Sequence, residues 1–193
     1  MRILFDLDGC FANFVDGFAE VIAKVGGSIP PQSDSYPDVF AYDKRDLPPD
    51  IRTAAWMEVG RSHNFWMHLK PYDDKLMAKL SAVQHIHDFY FGTNRPGPTT
   101  KFQTEVWLMN WFSNPTVLIS GDKASLAKAL SIDVATEDQV SNANGIAEAM
   151  DGKGIVLLLD RPWNRGEKEE NRVARVKSLD KALGHILWPD GEV

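Results

Sequence analysis

Hydrophobic positions along the chain fall into short apolar runs separated by longer amphipathic stretches. The segment Arg2 to Phe5 runs into Asp6-Leu7-Asp8-Gly9 and then an apolar helical start at Phe11, Ala12 and Phe14. An apolar run too short for a helix, ending in two carboxylates and a glycine, predicts a buried strand that delivers charge to the edge of a sheet. Further strands are expected at Asp88 to Gly92, Thr116 to Gly121, more weakly Asp133 to Thr136, and Gly154 to Asp160. Helical patterns at Lys101 to Phe112, Ala124 to Leu130 and Ala143 to Met150 lie between them. That alternation predicts an α/β fold with a parallel, doubly wound, five-stranded sheet. Ligands of such sheets bind beyond the carboxyl ends of the strands, where the acids, Thr93, Asp122 and Asp138 would gather.

The interval from Val15 to about Lys79 breaks the alternation. It carries Pro30-Pro31, Ser33, Ser35, Pro37 and Pro48-Pro49 among helical stretches at Phe18 to Val25, Ile51 to Val59 and Asp73 to Leu80. A plain crossover takes only a dozen or so residues. The longer interval is therefore expected to be a mainly helical cap, residues 15–79, closing over a core made of residues 1–14 and 80–193.

Composition narrows the function. The 193 residues carry a net charge of -6, with 21 basic residues scattered rather than striped, which disfavours binding of polymeric nucleic acid through its phosphates. The lone Cys10 excludes an internal disulfide and a cysteine-rich zinc site, and suits a reducing compartment. Asp6 and Asp8 interrupt the N-terminal apolar stretch, so no signal peptide is expected. No segment approaches the roughly 20 apolar residues of a membrane span. A cytoplasmic protein is the expectation.

Candidate chemistry follows the strand ends. Asp6 and Asp8, partly desolvated together, would push one pKa up strongly unless a cation sits between them. Oxygen-only ligands favour a hard ion, Mg2+ by default; the alternative is a plain N-cap. Gly92-Thr93-Asn94-Arg95-Pro96-Gly97 offers a hydroxyl and free N–H groups that can cradle phosphate oxygens, or is an ordinary turn. Lys123, after Ser120-Gly121-Asp122, opens a helix where a point charge for an anion is well placed, or is a solvated side chain. Thr136-Glu137-Asp138 is a second acid pair, or a helix start capped with help from Asn142 or Asn144. Acid pair, hydroxyl, lysine and second acid pair in strand order compose a phosphoryl-transfer site: one carboxylate attacks, a metal and a lysine neutralise charge, and a second acid protonates the leaving oxygen. The five histidines show no metal-ligand spacing tied to these acids, with His85 and His87 flanking a strand. Trp107 and Trp111 share a helical face and read as core. Asp160 reads as either a further site acid or part of a turn with Arg161 and Pro162, and Arg165 to Arg172 as a solvated loop or helix face.

Asp6-Leu7-Asp8-Gly9, Thr93, Lys123 and Glu137-Asp138 together resemble the four-motif signature of the haloacid dehalogenase-like (HAD) phosphohydrolases. Phe5 to Phe14, Phe65-Trp66 with Leu69-Lys70-Pro71, the Lys101 to Trp107 helix, Asp122-Lys123 and Asp160-Arg161-Pro162-Trp163-Asn164 resemble the 5'(3')-deoxyribonucleotidase family within it. The resemblance implies a HAD-like Rossmannoid core with a small helical cap, and Mg2+-dependent hydrolysis of (deoxy)nucleoside monophosphates through an aspartyl-phosphate. It makes Asp6 the nucleophile and Asp8 the acid, then the base. Thr93, Asn94 and Lys123 would hold the phosphate. Mg2+ would sit on the Asp6 carboxylate, the Asp8 backbone carbonyl and Asp138 or Glu137, of which Asp138 is preferred. Phe65 and Trp66 would stack on the base or pack the cap. Glu137 and Asn13 depart from the family pattern, which usually has Asp at the former and often an acid at the latter. Three other readings stand beside this one: a HAD phosphatase for another small ester such as a sugar phosphate, a receiver-type phosphoacceptor, and a silent nucleotide-binding protein. The long insertion argues against the receiver.

Overall fold

The computed structural model describes residues 1–28 and 47–188, so most of the expected Pro- and Ser-containing stretch lies outside the described residues. β1 (Arg2–Asp6) sits between β2 (Asp88–Thr93) and β4 (Val134–Glu137). With β3 (Thr116–Ile119), β5 (Ile155–Leu159) and β6 (Val173–Val176) they form one parallel sheet of order β3-β2-β1-β4-β5-β6. The sheet thus has six strands where five were expected. β6 escaped the pattern because its four residues are all only half-buried and follow a charged run, leaving no alternation to read. The tertiary fold supplies its support, through the backbone ladder to β5 and an ion pair of 3.1 Å from Arg175 to Asp160.

Ile3, Leu4 and Phe5 are all buried because a central parallel strand is covered on both faces. Ile3 and Phe5 join a large core that takes in Phe18, Leu80, Trp107 and Leu183. Leu4 joins a smaller one with Ala127, Ala143 and Leu158, beneath α5 (Lys123–Leu130) and α6 (Val140–Ala149). Among the described residues, three helices separate β1 from β2: α1 (Phe14–Lys24), α2 (Pro49–Arg61) and α3 (Asp74–Val83). α1 is capped by Asn13, whose side chain accepts from the Asp16 N–H, and buries Phe14, Phe18 and Ile22 at one residue per turn. α2 opens on Pro49, whose fixed φ suits the first helical position. Its Trp56 packs against Phe14 and Phe18, with ring centroids 5.6 and 4.7 Å apart. α3 is capped by Asp73 and tied to α7 (Leu179–Leu187) by Lys79 and Asp180 at 2.8 Å. α7 was not anticipated, although Leu179, Leu183 and Leu187 recur every fourth residue. α4 (Thr100–Leu108) ends four residues before the expected Phe112.

The strand order reverses between β1 and β4, so their carboxyl ends open a crevice. Asp6 ends the first and Glu137 the second. No described helix is long and apolar enough to cross a membrane. Because Leu183 is fully buried, Leu183→Ala is expected to lower unfolding free energy by about 2–5 kcal/mol in urea titrations.

Candidate active site

The turn after β1 sets the geometry. Phe11 and Ala12 both donate their N–H groups to the Leu7 carbonyl at 2.8 Å, reversing the chain within five residues. Gly9 takes φ +86°, and a β-carbon there would lie 2.0 Å from Asp138 Oδ2. Glycine is needed twice over: for the left-handed backbone and for the carboxylate lying against it. The Leu69-Lys70-Pro71 stretch clamps the outside of the turn, Asn13 donating to the Lys70 carbonyl and the Tyr72 N–H to that of Phe11, each at 2.8 Å. Arg161 Nε donates to the Gly9 carbonyl at 2.8 Å, and its guanidinium lies over the Tyr72 ring at 4.0 Å.

Three buried acids converge there. Asp6, Glu137 and Asp138 each offer a carboxylate oxygen within 4.8 Å of the others. Lys123, buried at the first position of α5, reaches Asp6 Oδ1 at 2.6 Å and Glu137 Oε1 at 2.5 Å. Three carboxylates against one ammonium leave a formal surplus of two negative charges in a buried site. Burial, and then the Glu137 charge, pushes Asp6 up to about 7, although Lys123 pulls the other way. Asp138 is held well above the usual carboxylate range by burial, then by Asp6 and Glu137. Burial works against the charge on Lys123, yet Asp6 and Glu137 hold its pKa above that of a free lysine. Cys10, buried beside these acids, is an inert thiol whose pKa burial raises.

Asp8 faces a different partner. Arg95, with a fully buried side chain, grips it with two N–H groups, Nε to Oδ2 and NH2 to Oδ1, both at 2.8 Å. The Thr93 hydroxyl also donates to Asp8 Oδ2, at 3.0 Å. Arg95 is in turn held by Thr104 Oγ1 at 3.0 Å and lies over Trp66, 4.8 Å from the ring centroid. Its role was not legible in the sequence, because an arginine in a Pro- and Gly-containing turn reads as solvated while Asp8 lies 87 residues earlier.

Asp6, Asp8, Thr93, Asn94 and Lys123 all line one cleft of about 280 Å³, together with Gly121, Gln139 and Asn142. Phe14, Trp56 and Trp66 form its aromatic wall, Phe14 stacked on both tryptophans at 5.6 and 5.7 Å. Of the two aromatic residues singled out in the sequence, Trp66 lines this cleft. Phe65 instead turns towards a neighbouring depression beside Val59 and Leu69. Glu137 and Asp138 lie beneath the cleft floor, fully buried.

The remaining candidates are structural. Asp160 pairs with Arg175 and Arg165. Asn144 is spent on the loop after β5, bonding the Lys168 carbonyl and the Glu170 N–H. Trp107 is buried, its indole donating to the Leu69 carbonyl at 2.7 Å.

The acid cluster fits a hard divalent cation. Its donors are all oxygens, its formal charge surplus is two, and Asp138 Oδ1 is a buried acceptor with no hydrogen-bond donor. Glu137 is engaged by Lys123 and by the Asp138 N–H, so Asp138 has the freer oxygen.

The fold is similar to that of solved HAD-like hydrolases. Across nearly its full length the chain is similar to several solved structures of that kind. One is a haloacid dehalogenase-like hydrolase from Burkholderia xenovorans: TM-score 0.59, 12% identity, 94% of each chain covered. A HAD-hydrolase from Bacillus subtilis, solved bound to magnesium, gives TM-score 0.59 and 13% identity over 96% of this chain and 97% of that one. A haloacid dehalogenase-like family hydrolase from Xanthomonas campestris gives 0.52 and 13% over 99% and 97%. No protein-family profile matches the chain, and no curated protein does.

Two outcomes are expected from this geometry. Asp8→Ala leaves the buried Arg95 charge uncompensated and should cost about 3 kcal/mol of stability, measured by urea unfolding. The second outcome concerns pH. Because the folded value of Asp6 is raised, to about 7, its protonated form is the one folding favours. The stability it contributes is full below about pH 4 and is lost as pH rises through 7. Metal-free protein should therefore melt at progressively lower temperature from pH 5 to 8, and Asp6→Asn should flatten part of that slope.

Proposed function

We propose that the protein is a Mg2+-dependent phosphomonoesterase that hydrolyses (deoxy)nucleoside monophosphates to nucleoside and phosphate, with residues 15–79 acting as a cap over the core. The observation that carries the reading is that one cleft joins a nucleophile-and-lysine end, Asp6 with Lys123, to an aromatic wall of Phe14, Trp56 and Trp66. A phosphate at the first end leaves a planar base within reach of the second, where stacking on aromatic faces supplies affinity. The resemblance of the sequence motifs to the deoxyribonucleotidases points the same way.

In this reading the Asp6 carboxylate attacks phosphorus, forming an acyl-phosphate bond as the bond to the nucleoside oxygen breaks. Asp8, as general acid, delivers a proton to that oxygen, and the nucleoside leaves. Asp8 then takes a proton from water, whose oxygen attacks phosphorus and breaks the acyl-phosphate bond, so that phosphate departs and Asp6 is restored. Lys123 neutralises charge on Asp6 and on the phosphoryl oxygens, while Thr93 and Asn94 orient them. Mg2+, held by the Asp6 carboxylate, the Asp8 carbonyl and Asp138, would offset the developing negative charge.

The test is phosphate release from a panel of nucleoside monophosphates and sugar phosphates, with Mg2+ or with chelator. Nucleotides should be the preferred substrates, chelator should abolish turnover, and Asp6→Asn should reduce it by about 10³-fold or more. Preference for a sugar phosphate would favour the alternative small-ester reading. Undiminished turnover by Asp6→Asn would overturn the mechanism.

A further inference from the structure

Immediately after β5, the chain makes a single 3-10 turn, Pro162–Asn164, that grips the fourth-strand acid from two sides. Trp163 donates its indole N–H to Asp138 Oδ2 at 2.9 Å. Asn164 donates from Nδ2 to the Asp138 backbone carbonyl and to that of Leu159, each at 2.7 Å. The amide oxygen of Asn164 is itself held, accepting from the Arg161 N–H at 3.1 Å and from Arg175 NH1 at 2.5 Å. The bracket is therefore anchored to strands β5 and β6 rather than to the cleft.

The consequence lies in how the two oxygens of Asp138 are divided. Oδ2 is taken by Trp163 and pressed against Gly9, where a β-carbon would come within 2.0 Å. Oδ1 is buried without a donor, on a carboxylate within hydrogen-bonding reach of Asp6. One oxygen is thus committed to the protein and one is left for a cation.

We propose that Trp163 is a positioning residue that forces Asp138 to act as a one-oxygen ligand and so makes the site select Mg2+ over Ca2+. This rests on the metal-dependent reading above. Mg2+ demands a small octahedral shell and takes single carboxylate oxygens, whereas Ca2+ accommodates six to eight oxygens and readily takes both from one carboxylate. An indole donor on Oδ2 closes the two-oxygen mode. Lys123 reinforces the restriction, since it occupies Glu137 Oε1 and leaves that acid unable to present both oxygens.

The experiment measures binding rather than turnover: calorimetric titration of the purified protein with MgCl2 and, separately, CaCl2, for the wild type, Trp163→Phe and Trp163→Met. Phe keeps an aromatic ring without the donor, and Met fills the space with an unbranched apolar chain, so a packing fault peculiar to one replacement does not decide the result. Melting of each metal-free variant establishes that it is folded. The Mg2+-to-Ca2+ affinity ratio is expected to fall about 10-fold in both variants, in line with the effect of removing an outer-shell partner. Equal weakening of both ions, with the ratio unchanged, would assign Trp163 a merely structural role and overturn the proposal. If wild type bound neither ion, the metal-dependent reading itself would fail, and this inference with it.

Discussion

Burying three carboxylates against one lysine at the junction of β1 and β4 is the constraint around which the rest of the site is arranged. Asp6, Glu137 and Asp138 are buried, and a buried charge without a partner is among the most costly features a fold can contain. The protein meets that cost only in part. Lys123 bridges Asp6 and Glu137, Trp163 satisfies one oxygen of Asp138, and the residual charge is expressed as raised carboxyl pKa values. A divalent cation would complete the balance, and the same two charges that destabilise the metal-free site would give the ion its affinity.

Asp8 is kept apart from this cluster although it is only two residues from Asp6. Asp8 lies past the end of β1, in the tight turn at Gly9, where Arg95 and Thr93 receive it. The segregation matters chemically. In the proposed mechanism the nucleophile would need its charge balanced without losing its lone pair, while the acid–base group would exchange protons with the leaving oxygen and with water. Arg95 also stacks on Trp66, so the acid is braced against the same aromatic wall that lines the cleft. Asp8, Arg95 and the aromatic wall are thus one packed unit.

Much of this was legible in the chain. The four acids, Thr93 and Lys123 were placed at strand ends by pattern alone, because parallel strands require continuous apolar runs and their ends are marked by the first polar residues. Strands one to five were found for the same reason. β6 was not, since a half-buried edge strand carries no such run. Phe65 and Trp66 were indistinguishable as neighbours in sequence, yet adjacent residues leave a turn in different directions, and only Trp66 reaches the cleft. Phe14 and Trp56 were not singled out as site residues in the sequence; they pack against each other and against Phe18 and also line the cleft.

By itself the amino-acid order determined which residues carry charge and that they fall at successive strand ends, along the sheet's carboxyl edge. These are local properties, set by hydrophobic periodicity and side-chain type. Which acid meets which base was decided only by the tertiary fold: Arg95 with Asp8, Lys123 between Asp6 and Glu137, Trp163 on Asp138. Those pairings join residues 14 or more positions apart, and no local preference encodes them. They arise when the crossovers bring separate strand ends into a volume too small and too dry for any carboxylate to remain unpartnered at no cost.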